Sequence, residues 1–176
     1  MGKRPIVTLL SLLMACLTAM GQAIGQWKAY LAYHEIQDLE KAGNVIYVQA
    51  SDNLYAYNTN DNSVQTFSKA DCLNDCQIAR IKYNATAKKL VIVYTNYNID
   101  LLADNGEAEI LTDYQNNALA MDKTVNDIYM NGYLAYLSTG FGIVKLNVKD
   151  AEISDTYNLG FPVDYTYIEG NSIYAV

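Results

Sequence analysis

An apolar pair, a short polar turn, a β-branched or tyrosine-rich run and a second alternating run recur four times along the chain, beginning at Ile36, Ile78, Val125 and Val163. The starts lie 42, 47 and 38 residues apart. The first copy reads Ile36 to Leu39, Val45 to Val48, Leu54 to Tyr57 and Val64 to Phe67, separated by Gly43-Asn44, Ser51-Asp52-Asn53 and a polar stretch from Thr59 to Ser63. The second reads Ile78 to Ile81, Leu90 to Tyr94, Ile99 to Leu102 and Glu109 to Leu111, the last two joined by Asp104-Asn105-Gly106. The third gives Val125 to Ile128, Leu134 to Leu137, Ile143 to Leu146 and Ile153 to Tyr157. The fourth starts at Val163 and reaches only a second run, Ile173 to Val176.

Runs of four or five residues that alternate with period two between Asn, Asp and Gly are the sequence form of short antiparallel strands. Beyond residue 30 no apolar stripe holds the i, i+3, i+4, i+7 spacing for three turns, so the chain reads as all-β with almost no helix. Of the two prolines, Pro162 falls in the connection before the fourth copy, where a missing N–H harms no ladder. The longest ambiguous connection, residues 113 to 124, reads as a loop.

Four short strands repeated every 40 to 50 residues or so match the blade of a β-propeller. A β-sandwich also places strands every 8 to 12 residues or so, and the coarser period with its matched strand order is what favours blades. The expected architecture is a partial, open propeller of three four-stranded blades near residues 34–72, 76–115 and 123–160, with a fourth begun over 161–176. Blades bury their faces against neighbours, so the arc is expected to be the front of a larger protein. Alone, it is expected to be partly folded or to self-associate through its uncovered faces and edges.

Ahead of the repeats, Lys3 and Arg4 precede an apolar stretch from Ile6 to Ala15, followed by small residues at Ala19, Gly21 and Ala23. This is the layout of a secretory signal peptide over residues 1–23, with the mature chain starting between Gln22 and Gln26 and the propeller occupying 24–176. The strongly apolar run is short for a bilayer span. Loss of Lys3 and Arg4 would take the net charge from −7 to −9. Leu13-Met14-Ala15-Cys16 also resembles a bacterial lipobox, in which Cys16 would carry lipid, although the apolar run continues past it at Leu17.

Export gives the cysteines a context. Cys72 and Cys76 could close a small loop disulfide in an oxidising compartment, or stand as two small residues in the connection between the first two blades. Two thiols with the single His34 remote in sequence do not make a metal site, and no metal or cofactor is expected. No catalytic residue is expected either. His34 reads as a loop or strand-edge residue, and Asp38, Asp100 and Asp127 fall inside strand motifs where Asp bonds exposed turn N–H groups. Gly140-Phe141-Gly142 leads into a strand and reads as a hairpin turn rather than a dinucleotide loop.

The acidic balance has no basic stripe, which argues against nucleic acid as a partner. Sixteen tyrosines fit half-buried packing positions with surface hydroxyls, and some could stack on sugar rings. Asn84-Ala85-Thr86 matches the glycosylation sequon but reads as a turn.

Several segments together resemble the N-terminal propeller of PorZ-like proteins, components of the type IX secretion system of Bacteroidetes: Trp27-Lys28-Ala29-Tyr30, Tyr94 to Asp100, Asp104-Asn105-Gly106, Lys123 to Tyr129, Leu137 to Val144 and Asp155 to Gly160. The Ser138-Thr139-Gly140-Phe141-Gly142 run also resembles blades of two-component regulator propellers. Cys72 stands where related blades carry Gly before Leu-x-Asp. The resemblance implies an exported, surface-exposed, non-enzymatic scaffold that works with a sortase-like peptidase and handles anionic lipopolysaccharide for attachment to cargo. It carries over no ligand-binding residue. The alternative is a periplasmic glycan sensor of a hybrid two-component system, and a propeller-based carbohydrate enzyme is a weaker third.

Overall fold

The computed structural model describes residues 30–116 and 121–176. Three four-stranded antiparallel sheets follow in chain order: β1 (Ile36–Ala42), β2 (Val45–Ala50), β3 (Asn53–Asn58) and β4 (Val64–Phe67); β5 (Ile78–Asn84), β6 (Lys89–Tyr94), β7 (Ile99–Ala103) and β8 (Ala108–Leu111); β9 (Val125–Asn131), β10 (Leu134–Thr139), β11 (Gly142–Asn147) and β12 (Glu152–Asn158). A hairpin of β13 (Thr166–Glu169) and β14 (Ser172–Ala175) begins the fourth. Each sheet is a simple meander, and the first strands neighbour one another in order, β1 to β5 to β9 to β13. The chain is thus an all-β, partial and open propeller.

The repeat phase is carried by equivalent residues. Ile36, Ile78 and Val125 each open a first strand, and in each the register slips by one residue immediately afterwards, before Asp38, Arg80 and Asp127. A bulge increases local twist, and it recurs at the same place in each first strand. Val163 holds the same place in the fourth copy, three residues ahead of β13, and its N–H donates to Thr139 O at 2.9 Å.

Blade contacts are apolar and repeat the alternation read from the sequence. Leu54 and Phe67 of the first sheet pack with Ile78, Ile81, Ile92 and Leu102 of the second. Val93, Ile99, Leu101 and Leu111 pack with Val125, Ile128, Leu137 and Val144 of the third. Burying each such side chain contributes roughly 1.5–3 kcal/mol relative to leaving it in water. Among the described residues no preceding sheet covers the first blade, and the same position is bare there: Ile36 is 60% exposed and Leu39 55%, whereas Ile78 is 2% and Ile81 2%.

Polar bridges fix the blades relative to one another. Gln49 Nε2 donates to Ile78 O at 2.8 Å, Arg80 Nε to Asn126 O at 3.0 Å and Asn126 Nδ2 to Val163 O at 2.9 Å. Ser138 and Thr166 share a buried hydroxyl bond of 2.8 Å.

Two expectations need correction. First strands run to Ala42, Asn84 and Asn131, three residues past the apolar pair, because those residues still pair with the second strand up to the hairpin. The connection expected to be wholly loop opens with a helical turn, α1 (Asp113–Asn116), which buries Tyr114. The signal peptide, its cleavage region and Cys16 lie outside the described residues.

Candidate functional site

The most heavily built feature is the connection from β4 to β5, residues 68–77. Ser68 O accepts the N–H groups of Asp71, Cys72 and Leu73 at 3.0, 3.1 and 3.1 Å, curling the chain and turning Leu73 into the core. The following residues are held by the second blade. Asn74 donates its N–H to Asp100 Oδ2 at 2.8 Å and its side-chain amide to Oδ1 at 3.0 Å, and the Tyr94 hydroxyl donates to Oδ2 at 2.6 Å. Asp100 is wholly buried, and three donors satisfy its two oxygens, as a buried carboxylate requires. Burial, and then the Asp100 carboxylate, push the Tyr94 phenol well above its ordinary pKa.

Beside it, Asp75 accepts from its neighbour Cys76 N–H at 2.9 Å, from Asn98 Nδ2 at 2.8 Å and from Asn96, with Lys69 Nζ 3.6 Å away. Burial works against its ionisation, but these donors outweigh it and hold the carboxyl at about 2. The turn that supplies Asn96 and Asn98 puts Tyr97 at φ 71°, and Tyr94 N–H closes it on Asn98 O at 2.9 Å.

Between this connection and the first blade lies a cleft of about 200 Å³. Leu54, Phe67, Leu73 and Ile78 form its walls, Leu31 stands at its mouth, and Asp52, Lys69 and Asp75 supply its polar rim. A second cleft of about 130 Å³ opens at the opposite end of the same blade pair, between Tyr47 and the Asp104-Asn105-Gly106 turn. There Tyr83 stacks on Tyr47, ring centroids 6.1 Å apart, and donates to Asp104 at 3.1 Å. Burial and the Asp104 charge raise the Tyr83 phenol to about 12.

Cys72 is half-buried and Cys76 exposed, and both are free thiols. His34 is exposed, its Nδ1 3.4 Å from Ser51 Oγ. Of the three strand aspartates, Asp38 bonds only its neighbour's N–H at Leu39, and Asp100 is the one that departs from the exposed-turn reading, being buried in the lock described above. Asn84 does cap a turn, accepting from Ala87 N–H at 2.8 Å, but it is buried and also donates to Gly132 O of the third blade at 3.0 Å. Among the described residues, no group of three or more His, Cys, Asp or Glu could hold a metal ion, and no helix is long and apolar enough to cross a membrane.

No curated protein matches the chain. Among solved structures, it is similar to PorZ of Porphyromonas gingivalis, described as an essential bacterial surface component of the type IX secretion system, with 31% identity, 79% of this chain and 19% of that chain covered, and a TM-score of 0.74. It is also similar in fold to the extracellular domain of the hybrid two-component system BT4673 of B. thetaiotaomicron, with 14% identity, 88% and 20% of the two chains covered and a TM-score of 0.64. The chain spans about a fifth of the length of each. The family model for the type IX secretion PorZ N-terminal β-propeller domain matches residues 46–176. With three blades and the start of a fourth in the expected phase, the chain belongs to the PorZ N-terminal β-propeller family.

Proposed function

We propose that this chain is the leading part of an exported, non-enzymatic propeller that serves as a scaffold in type IX secretion at the cell surface. The observation that carries the reading is the 31% identity to a surface component of that system over 79% of the chain. The construction agrees with scaffolding: blade faces are locked by apolar packing and by polar bridges from Gln49, Arg80, Asn126 and Ser138, which makes a rigid frame for loops. By family resemblance its partners are a sortase-like peptidase and anionic lipopolysaccharide, which it would help deliver to cargo. Similarity to the two-component sensor, at 14% identity, bears on the fold and brings no sensing role with it.

Deleting the gene in its source bacterium should leave secretion cargo unattached to the surface, and restoring the complete protein should return it. Titrating purified lipopolysaccharide against the complete protein should give saturable binding that depends on its acidic groups. Normal cargo attachment in the deletion strain would sink the scaffold role. Attachment lost without any lipopolysaccharide binding would keep the scaffold and remove the delivery role. N-terminal sequencing of the exported protein should find a start between Gln22 and Gln26, whereas a lipid-modified Cys16 at the terminus would replace that boundary.

A further inference from the structure

The internal repeat shows what the cleft between the first two blades lacks. Leu54 pairs with Phe67 as Ile99 pairs with Leu111, and Ile78 corresponds to Val125. At the junction of blades two and three, the connection after Leu111 puts the ring of Tyr114 against these residues. That ring is buried, its hydroxyl donates to Lys123 O at 2.7 Å, and its edge meets Tyr97 at 6.4 Å between centroids. At the junction of blades one and two, the connection offers Ala70 and Leu73 instead, and about 200 Å³ stays open. Among the described residues, the same packing position is filled by an aromatic side chain in one junction and left unfilled in the other.

We propose that this cleft receives an aromatic side chain, of the tyrosine type, from an extended segment of a partner protein, with basic residues flanking the ring. Its walls are apolar, as a ring requires, and at its rim Lys69 lies 3.6 Å from Asp75, which leaves Asp52, bonded to the neutral Gln37 amide, as the unbalanced negative charge. The chain's net charge of −7 acts in the same direction, favouring a cationic partner segment. Ala70, exposed at the mouth, leaves the approach clear. The proposal goes beyond the secretion role and does not rest on it.

The test uses the complete protein with ¹³C-methyl-labelled Leu and Ile, titrated with the capped tripeptides Lys-Tyr-Lys, Lys-Ala-Lys and Glu-Tyr-Glu. Lys-Tyr-Lys should shift the methyls of Leu31, Leu54, Leu73 and Ile78 and bind at least about tenfold more tightly than Lys-Ala-Lys, the difference expected for burying one ring. Glu-Tyr-Glu should bind more weakly than Lys-Tyr-Lys. The variant Ala70→Tyr, which copies the filled junction at an exposed position, should abolish the shifts while the protein stays folded. Equal binding of the Tyr and Ala peptides, shifts confined to other methyls, or undiminished binding by Ala70→Tyr would overturn the proposal. So would purified lipopolysaccharide moving the same four methyls while Lys-Tyr-Lys does not.

Discussion

The hydroxyl of Tyr94 donates a 2.6 Å hydrogen bond to Oδ2 of Asp100, six residues on and wholly buried. The bond ties the end of β6 to β7, and through Asp100 it also holds Asn74 in the connection from the first blade. Removing the donor leaves a buried carboxylate with one partner fewer. Tyr94→Phe should cost about 1.5–3 kcal/mol in urea unfolding, the range for a hydrogen bond to a charged group. Because the phenol's pKa is raised in the folded state, its contribution is complete below its ordinary value near 10 and fades as pH climbs above it. The gap between wild type and Tyr94→Phe should therefore narrow above about pH 10.

Asp75 has the opposite sign. Its folded pKa of about 2 lies below the ordinary carboxylate value, so the stability it brings is present above about pH 4 and is lost as pH falls through 2. Asp75→Asn should flatten the acid limb of a stability curve between those limits. Identical curves for the two proteins over that window would contradict the hydrogen-bonded cluster with Asn96 and Asn98.

Asn84 ties the second blade to the third. Its side chain is buried, accepts from Ala87 N–H and donates to Gly132 O. Asn84→Ala should cost about 1–3 kcal/mol, because it removes a buried side chain that bonds both the Ala87 N–H and the Gly132 carbonyl. Hydrogen exchange should show faster opening at both Ala87 and the Gly132 turn, and a change limited to one of them would refute the tether.

Equivalent isoleucines should respond unequally in this chain. Ile78→Ala removes a side chain packed between two blades and should cost about 2–5 kcal/mol. Ile36→Ala, at a position 60% exposed, should cost less than about 1 kcal/mol. Matching shifts in urea midpoint would mean that the two first strands do not hold the places described.

Gly142 and Gly160 both have positive φ, at 149° and 75°, but only one is crowded. A Cβ at Gly142 would lie 2.1 Å from Tyr157 O, whereas one at Gly160 meets nothing within 4 Å. Gly160→Ala should cost about 1–2 kcal/mol from backbone conformation alone. Gly142→Ala should exceed about 3 kcal/mol, because β11 and β12 must part to admit the methyl, and thermal unfolding of the two variants would show the order.

The alternation of apolar and polar residues, with Gly and Asn at the turns, was enough to place the strands of each blade and the blade phase, though not the ends of the first strands. Each meander pairs residues close in sequence, and Ile36, Ile78, Val125 and Val163 mark the copies without reference to any contact. Why Ile36 is bare while Ile78 is covered, why Asp100 is buried, and why Tyr114 fills a junction that Leu73 and Ala70 leave open could not be read that way. Those outcomes turn on meetings between distant segments: Asn74 with Asp100, Asn84 with Gly132, the β4–β5 connection with the turn after β6. Residue type sets what a side chain can bond or bury, but only the stacking of one sheet on the next decides which partner stands within reach.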